Sequence, residues 1–579
     1  MPDPHDPASH PPLDVLRHTA SHVMAHAVTR LFPGVKLAIG PAIADRFYYD
    51  FDLPRPVSEE DLPRIEAEMA RIVQEDLPLV RRELPRGEAI RRMEQDAQPY
   101  KVELLQDLPD GTVTFYEQGD FADLCRGPHL PSTGGVRAFK LLSIAGAYWR
   151  GDEHRAMLTR IYGTAFPTQK ELDDHLHLLE EARRRDHRKL GKDLDLFSFH
   201  DEGPGFALFH PKGMILWREL MAFWEEVHTE RGYQQLRTPI LLRKTCWEQS
   251  GHWDNYRDKM YVTVIDDDEY AIKPMNCVGA MLYYRTRLHS YRELPMRIAE
   301  VGVVHRHEKS GELHGLLRVR QFTQDDAHIF MTQDQIRDEV IGVMDLVDTV
   351  YSTFGLPYHL ELSTRPEKSI GSDEAWETAT GGLRAALDAK GLPYKVNEGD
   401  GAFYGPKIDF HVRDALNRTW QCATIQLDFA MPEKFDLTYV GADNQRHRPV
   451  MIHRVVYGAI ERFVAVLVEH FAGAFPLWLS PEQVRVIPST DGQAPHAAQV
   501  EARLRAAGLR AAVDDRNEKV GFKIREATTQ KVPYVLVVGP REVEAGTVAV
   551  RKRGEGDLGP SPFEAFVERL LDEVARKTR

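Results

Sequence analysis

Residues 318–330, RVRQFTQDDAHIF, set the strongest constraint on the fold, because side-chain character alternates there with the two-residue period of a β-strand. That period puts Arg318, Arg320, Phe322, Gln324, Asp326 and His328 on one face. A solvated polar strand accounts for any one of these residues; six at strand spacing ask for a ligand. A guanidinium grips phosphate oxygens through paired hydrogen bonds, a flat ring stacks on a base, and Asp with Gln holds an ammonium group. The face therefore describes a pocket for a nucleotide beside an amino acid, and residues 305–330 as a whole read as a substrate-holding hairpin.

The rest of the chain must support that hairpin. Its 579 residues allow about three or four domains, each with its own core. No apolar run approaches the ~20 residues that cross a bilayer, and no secretory segment is legible, so no membrane partner is expected. Cys125, Cys246, Cys277 and Cys422 are scattered, which fits free thiols in a reducing cytoplasm better than a disulfide framework. A net charge of −14 argues against indiscriminate nucleic-acid binding and against DNA, and leaves room for local basic tracks.

Residues 1–12 are rich in proline and histidine and read as a disordered tail. From residue 13 to 166 the pattern is α+β, with a helix near the start, strands near residues 48–51 and 113–116, and a helix over 59–76. In the first helix His18, His22 and His26 recur at i, i+4, i+8. DLCRGPH adds Cys125 and His129, so HxxxH with CxxxH makes a candidate zinc set of three nitrogens and a thiolate. Residues 167–192 form a polar linker helix with a basic end. In residues 193–475 a Pro-Lys-Gly turn opens a helix near Met214, followed by a strand over 234–239. A later strand runs to about Val456, and after Gly458 a helix carries Glu461 and Arg462 in its first turn. Arginine there opposes the helix dipole unless an anion binds. Residues 476–579 alternate strand and helix, which predicts a small α/β sheet with basic residues at Arg516, Lys519, Lys523, Arg525, Lys531, Arg551, Lys552 and Arg553.

The stretches HTASH, DLCRGPH, SGHWDNY, KPMNCVGA, HRHEKSGELHGLLRVRQFTQDDAHIF, AFYGPK, WQCATIQLDF, VMIHR and GAIERF follow one another in this order. From about His18 to its end the chain resembles bacterial threonyl-tRNA synthetases. The resemblance implies an N-terminal α+β editing domain (13–166), a class II catalytic domain on an antiparallel sheet (193–475) and a C-terminal α/β anticodon-binding domain (476–579). Family members usually begin with a further small β-rich domain, for which this chain has no room.

The resemblance also assigns residues. Arg306 would grip the α-phosphate and the threonine carboxylate, and Arg318 with Arg462 the outer phosphates with Mg2+. Phe322 would stack on adenine, Glu308 would contact its amino group, and Lys407, Gln421 and Thr424 would add nucleotide contacts. Cys277, His328 and His453 would ligate one zinc per subunit, with Gln324, Asp326, Tyr404 and Gln426 around the amino acid. His18, His22, Lys101, Asp123, Cys125 and His129 would hydrolyse mischarged seryl-tRNA. Here the bare spacing reads as a zinc site, whereas the family implies a metal-free site that orients a water. Asn517, Glu542 and Arg551 would contact the anticodon, and His252 is a candidate base for the 3′-terminal ribose hydroxyl, since imidazole titrates near neutrality. The implied partners are ATP, threonine, tRNA(Thr) and a second copy of the chain. A non-catalytic paralogue or an editing-only hydrolase is the alternative, and either leaves an intact activation site without a purpose.

Overall fold

A computed structural model describes residues 12–416 and 418–579. Apart from Pro12, the expected disordered tail lies outside the described residues. The chain divides into two compact units, a first that ends at Glu180 and a second, Glu181–Arg579.

The first unit is built around the helix Leu13–Leu31. Leu16, Ala20, Val23, Met24, Ala25, Ala27 and Val28 bury it on nearly every side, as befits a helix set inside a domain instead of on its surface. It packs on the helix Leu62–Glu75 and on an antiparallel sheet ordered Lys36–Leu37, Arg46–Asp52, Met157–Phe166, Ala138–Tyr148. A second sheet, Val80–Pro85, Thr112–Gln118 and Phe121–Leu124, carries Asp123 and delivers the chain to Cys125. The expected linker helix is two helices. Gln169–Arg185 ends before Asp186, whose side chain accepts the Arg188 N–H at 2.8 Å and so starts a new helix, His187–Asp193.

The second unit is organised by an eight-stranded sheet. Its order is Gln234–Gln235, Met296–His305, Gln321–Met331, Val450–Val455, Thr419–Asp428, Lys407–Arg413, Tyr358–Ser363, Tyr394–Asn397, antiparallel throughout except at the two outermost pairs. The period of two read from the sequence is visible in the packing. Ala327, Ile329 and Met331 enter the core under the helices Ile336–Phe354, Asp373–Lys390 and Ile460–His470, while Phe330 joins a separate core on the other face. Both faces are thus covered.

Three local expectations are corrected. The strand begins at Gln321, so Arg318 and Arg320 precede it in the loop that closes the hairpin. The Pro-Lys-Gly sequence lies inside the first turn of the helix Pro211–Thr229, where proline lacks an N–H that the helix start would leave unpaired anyway. The strand expected over 234–239 is only Gln234–Gln235.

At the C-terminal end, Ala511–Val513, Val484–Pro488 and Tyr534–Val538 pair in parallel. Two further strands, Thr547–Lys552 and Gly556–Pro562, extend the sheet antiparallel, beyond the strand–helix alternation expected there. Helices Ala494–Ala506 and Phe563–Ala575 cover one face and Val520–Thr529 the other.

Candidate functional site

Register, more than proximity in sequence, assembles the principal site. In three neighbouring strands His328 pairs opposite His453, and His453 opposite Gln426, so the three form one row across the sheet. Gln324 and Asp326 precede His328 on the same face, and Thr424 precedes Gln426. These residues line a cavity of about 490 Å³ together with Cys277, Arg306, Glu308, Arg318, Phe322, Tyr404, Gln421 and Arg462.

One end of the cavity is cationic. The Arg306 guanidinium lies 5.0 Å from the Phe322 ring centre and donates to Pro274 O at 3.2 Å. Arg462 donates to Leu317 O at 3.0 Å and to Gln421 O at 3.2 Å. Burial, with Arg306 and Arg318 close by, holds the Arg462 pKa below its ordinary value. Three arginines share a confined volume, a surplus of positive charge that a polyphosphate would neutralise.

The other end is built for a small polar ligand. Asp326 is buried and its pKa is pushed up to about 6 by that burial, while Asn276 donates to its Oδ2 at 3.2 Å. Tyr404 donates to Gln426 Oε1. Cys277 begins the helix Cys277–Tyr284, and burial, then Asp326 and Asp428, push its thiol well up. His328 Nε2 is buried without a hydrogen-bond partner. His453 Nε2 faces Asp428 Oδ2 at 2.9 Å, and the two imidazoles meet edge-on at 4.9 Å. An orphaned imidazole nitrogen beside a thiol and a carboxylate-backed imidazole is a donor set that suits Zn2+.

Not every expected residue reaches this cavity. Arg320 turns away to Glu308 O and Pro204 O, each at 3.0 Å, and tethers the loop instead. Lys407 is drawn aside by Asp409 at 2.5 Å and Asp400 at 3.0 Å. His252 is fully buried behind Cys277, with Nδ1 2.8 Å from Ser250 Oγ, Nε2 3.2 Å from Met275 Sδ, and a pKa pushed down to about 3 by burial. The direction runs against the titration near neutrality expected for it. Three supporting residues escape a reading of the sequence. Asp409 gathers Lys407, Gln421 and Thr424, Asn276 orients Asp326, and Asp428 orients His453. Lys407 and Asp409 stand two apart on one strand, a same-face signal that the sequence does contain.

The first unit holds a second constellation. His18 and His22, one helical turn apart, meet Cys125 and His129, and their four candidate ligand atoms all lie within 4.8 Å of one another. Cys125 Sγ is 3.3 Å from His18 Nε2 and 3.1 Å from His129 Nε2, and Gly127 N–H also points at it. Burial lowers the pKa of His18, lowers that of His22 strongly, and takes His129 down to about 2, while it pushes the Cys125 thiol up to about 11. Alongside, Lys101 pairs with Asp123 at 2.6 Å and Tyr49 donates to the same carboxylate at 2.5 Å. His26 stays out, bonded to Asp120 and Gln118.

At the C-terminal sheet Asn517 is exposed in a turn, Glu542 accepts the Gly539 N–H at 2.9 Å, and Arg551 pairs with Asp557 at 2.9 Å. The basic cluster is smaller than its sequence suggests. Lys523 is buried and donates to Asp514 O, and Arg553 donates to Ala474 O and Phe475 O, so both brace the fold.

The antiparallel sheet, the arginine-lined cavity on it and the appended α/β domain define a class II aminoacyl-tRNA synthetase. Family models agree: "tRNA synthetase class II core domain (G, H, P, S and T)" matches residues 261–471, "Anticodon binding domain" residues 483–573, and "Threonyl and Alanyl tRNA synthetase second additional domain" residues 113–162. The threonine–tRNA ligase of Carboxydothermus hydrogenoformans is 61% identical over 565 residues, which cover 97% of this chain and 89% of that protein. That of Clostridium botulinum is 60% identical over 564 residues, with the same shares. A solved structure described as the RNA binding domain of threonyl-tRNA synthetase from Cryptosporidium parvum covers 67% of this chain and 98% of its own, at 39% identity and a TM-score of 0.64. The chain belongs to the threonine–tRNA ligase family.

Proposed function

We propose that this chain activates threonine with ATP, transfers it to tRNA(Thr) and hydrolyses seryl-tRNA(Thr) made in error. The observation that carries the reading is the meeting of Arg306, Arg318 and Arg462 with Cys277, His328 and His453 in one cavity. In the first reaction the threonine carboxylate attacks the α-phosphate and pyrophosphate leaves. The substrate is its own nucleophile, so the protein need only position the reactants and stabilise charge. Arg306 bridges carboxylate and α-phosphate. Arg318 and Arg462 hold the outer phosphates with Mg2+, and Phe322 and Glu308 hold the adenine. Asp326 and Gln324 receive the threonine ammonium group.

Choice of amino acid needs more than shape, because an apolar pocket separates near-isosteres by only about a hundredfold, a limit for which aminoacyl-tRNA synthetases are the standard case. Cys277, His328 and His453 would hold Zn2+, which when bound offers open positions to an amine and a hydroxyl and refuses valine. Serine carries both groups, so a second sieve is required. His18, His22, His129 and Cys125, with Lys101 and Asp123 beside them, supply it. Neutral imidazoles accept from a water, and we favour its orientation without a metal.

On this reading residues 13–166 edit, 167–192 link, 193–475 catalyse and 476–579 receive the anticodon through Asn517, Glu542 and Arg551. His252, which lies 3.7 Å from Cys277 Sγ through Nε2, remains the candidate base for the ribose hydroxyl; a slowed single-turnover transfer in His252→Ala is expected, and an unchanged rate would give it a structural role instead. The enzyme works as a cytoplasmic homodimer. Among the described residues no helix is long and apolar enough to cross a membrane.

The test is amino-acid-dependent ATP–pyrophosphate exchange with threonine, serine and valine, before and after zinc removal. Strong exchange with threonine, weaker with serine, none with valine, and its loss on chelation are expected. A zinc-replete chain that exchanges with none of them is the regulatory or editing-only paralogue.

A further inference from the structure

His187 takes no part in the chemistry above, yet it is completely buried and both ring nitrogens are engaged. Leu316 N–H donates to Nε2 at 3.0 Å, so that nitrogen is unprotonated. Nδ1, 2.7 Å from Glu469 Oε1, must then carry the proton and donate to the carboxylate. The backbone N–H of His187 donates to the same oxygen at 3.1 Å, and the other oxygen of Glu469 pairs with Arg418.

These partners belong to the cationic end of the cavity. Leu316 lies in the turn Gly315–Leu317, immediately before Arg318. Glu469 stands on the helix Ile460–His470, seven residues and about two turns after Arg462, hence on the same side of that helix. Arg462 itself donates to Leu317 O at 3.0 Å. Turn and helix are therefore tied twice, directly through Arg462 and Leu317, and through His187 between Glu469 and Leu316. Gly315 makes the second tie possible. Its φ is +50°, and a Cβ there would come within 2.1 Å of His187 Nε2.

We propose that His187 is a positioning residue for ATP, setting the height of the Gly315–Leu317 turn over the helix Ile460–His470 and so the reach of Arg318 and Arg462 to the polyphosphate. The inference rests on reading the cavity as the nucleotide site. Removing the imidazole leaves a buried Leu316 N–H without a partner, and the turn must shift to find one.

The experiment is threonine-dependent ATP–pyrophosphate exchange on the full chain, with KM for ATP and for threonine measured separately. His187→Asn retains a short donor toward Glu469 but cannot reach Leu316, whereas His187→Gln places an acceptor near the position of Nε2. His187→Asn is expected to raise KM for ATP about tenfold and to change KM for threonine less than about twofold. His187→Gln should recover most of that loss, and Gly315→Ala, which displaces the ring, should behave like His187→Asn. Lys189→Ala, on the exposed side of the same helix, should change neither constant. Equal rises in both KM values, or identical effects of the asparagine and glutamine variants, would overturn the proposal. Should His187→Asn not fold, an unchanged KM for ATP in Gly315→Ala overturns it equally. Absence of threonine-dependent exchange in the unsubstituted chain would instead refute the nucleotide reading itself.

Discussion

Two histidine–cysteine constellations in this molecule invite the same label and differ in how their donor atoms are arranged. At His18, His22, Cys125 and His129 the donor atoms are already close, the thiol is surrounded by ring nitrogens and an N–H, Lys101 pairs with Asp123 alongside, and His22 Nδ1 is buried without a partner. At Cys277, His328 and His453 the donors face an open cavity, one imidazole nitrogen has no partner, and the set does not converge within the 4.8 Å that contains the first cluster. Each set contains a buried imidazole nitrogen without a partner, His22 Nδ1 in the first and His328 Nε2 in the second, so what separates them is that the first has gathered its donor atoms and the second lines a cavity. Ligand-like spacing on a helix measures only how readily side chains can meet; whether they then face one another or an open cavity is set by the elements packed around them.

The largest effect that would break this contrast concerns metal content. Cys277→Ser or His328→Ala should lower threonine-dependent exchange by about 10³-fold, and zinc should fall from one per chain to none by elemental analysis. His18→Ala combined with Cys125→Ser should leave zinc content and exchange unaltered. If the second pair of substitutions strips the metal, the roles of the two clusters are reversed.

A smaller effect separates the two activities. His22→Ala or Lys101→Met should slow hydrolysis of seryl-tRNA(Thr) by about 10²-fold, with exchange unaffected. Deacylation assays on pre-formed seryl-tRNA check this, and equal losses in exchange would remove the functional distinction.

The finest test is the ionisation of Cys125. Burial raises its pKa to about 11, so below that value the group is a neutral thiol. Alkylation by iodoacetamide, followed by mass spectrometry, should be very slow at pH 7 and rise about tenfold per pH unit toward pH 10, because only the thiolate reacts. A bound metal would instead hold Cys125 as a protected thiolate, with slow alkylation that scarcely varies with pH.

Local periodicity and motif order carry much of the site. The strand that bears Gln324, Asp326 and His328, the helix after Gly458 with Arg462 in its first turn, and the meeting of HxxxH with CxxxH all follow from them. Arg320 departs from its expected place because alternation alone does not say where a strand begins, and the hairpin loop claims that residue for Glu308 O and Pro204 O. Lys523 and Arg553 depart from theirs because charge in a sequence looks the same whether it faces solvent or caps buried carbonyls.

The sequence by itself determined the family, the main helices and the face on which Gln324, Asp326 and His328 stand. Those depend on spacings of two to four residues, which backbone geometry converts directly into direction. Only the tertiary structure decided which faces meet. Cross-strand register put His328, His453 and Gln426 in one row although His328 lies far from the other two along the chain, and the packing of helix on turn set His187 between Glu469 and Leu316. Such contacts depend on how strands and helices pair over long chain separations, which no local pattern encodes. They also decide whether a buried nitrogen is satisfied or left free to bind.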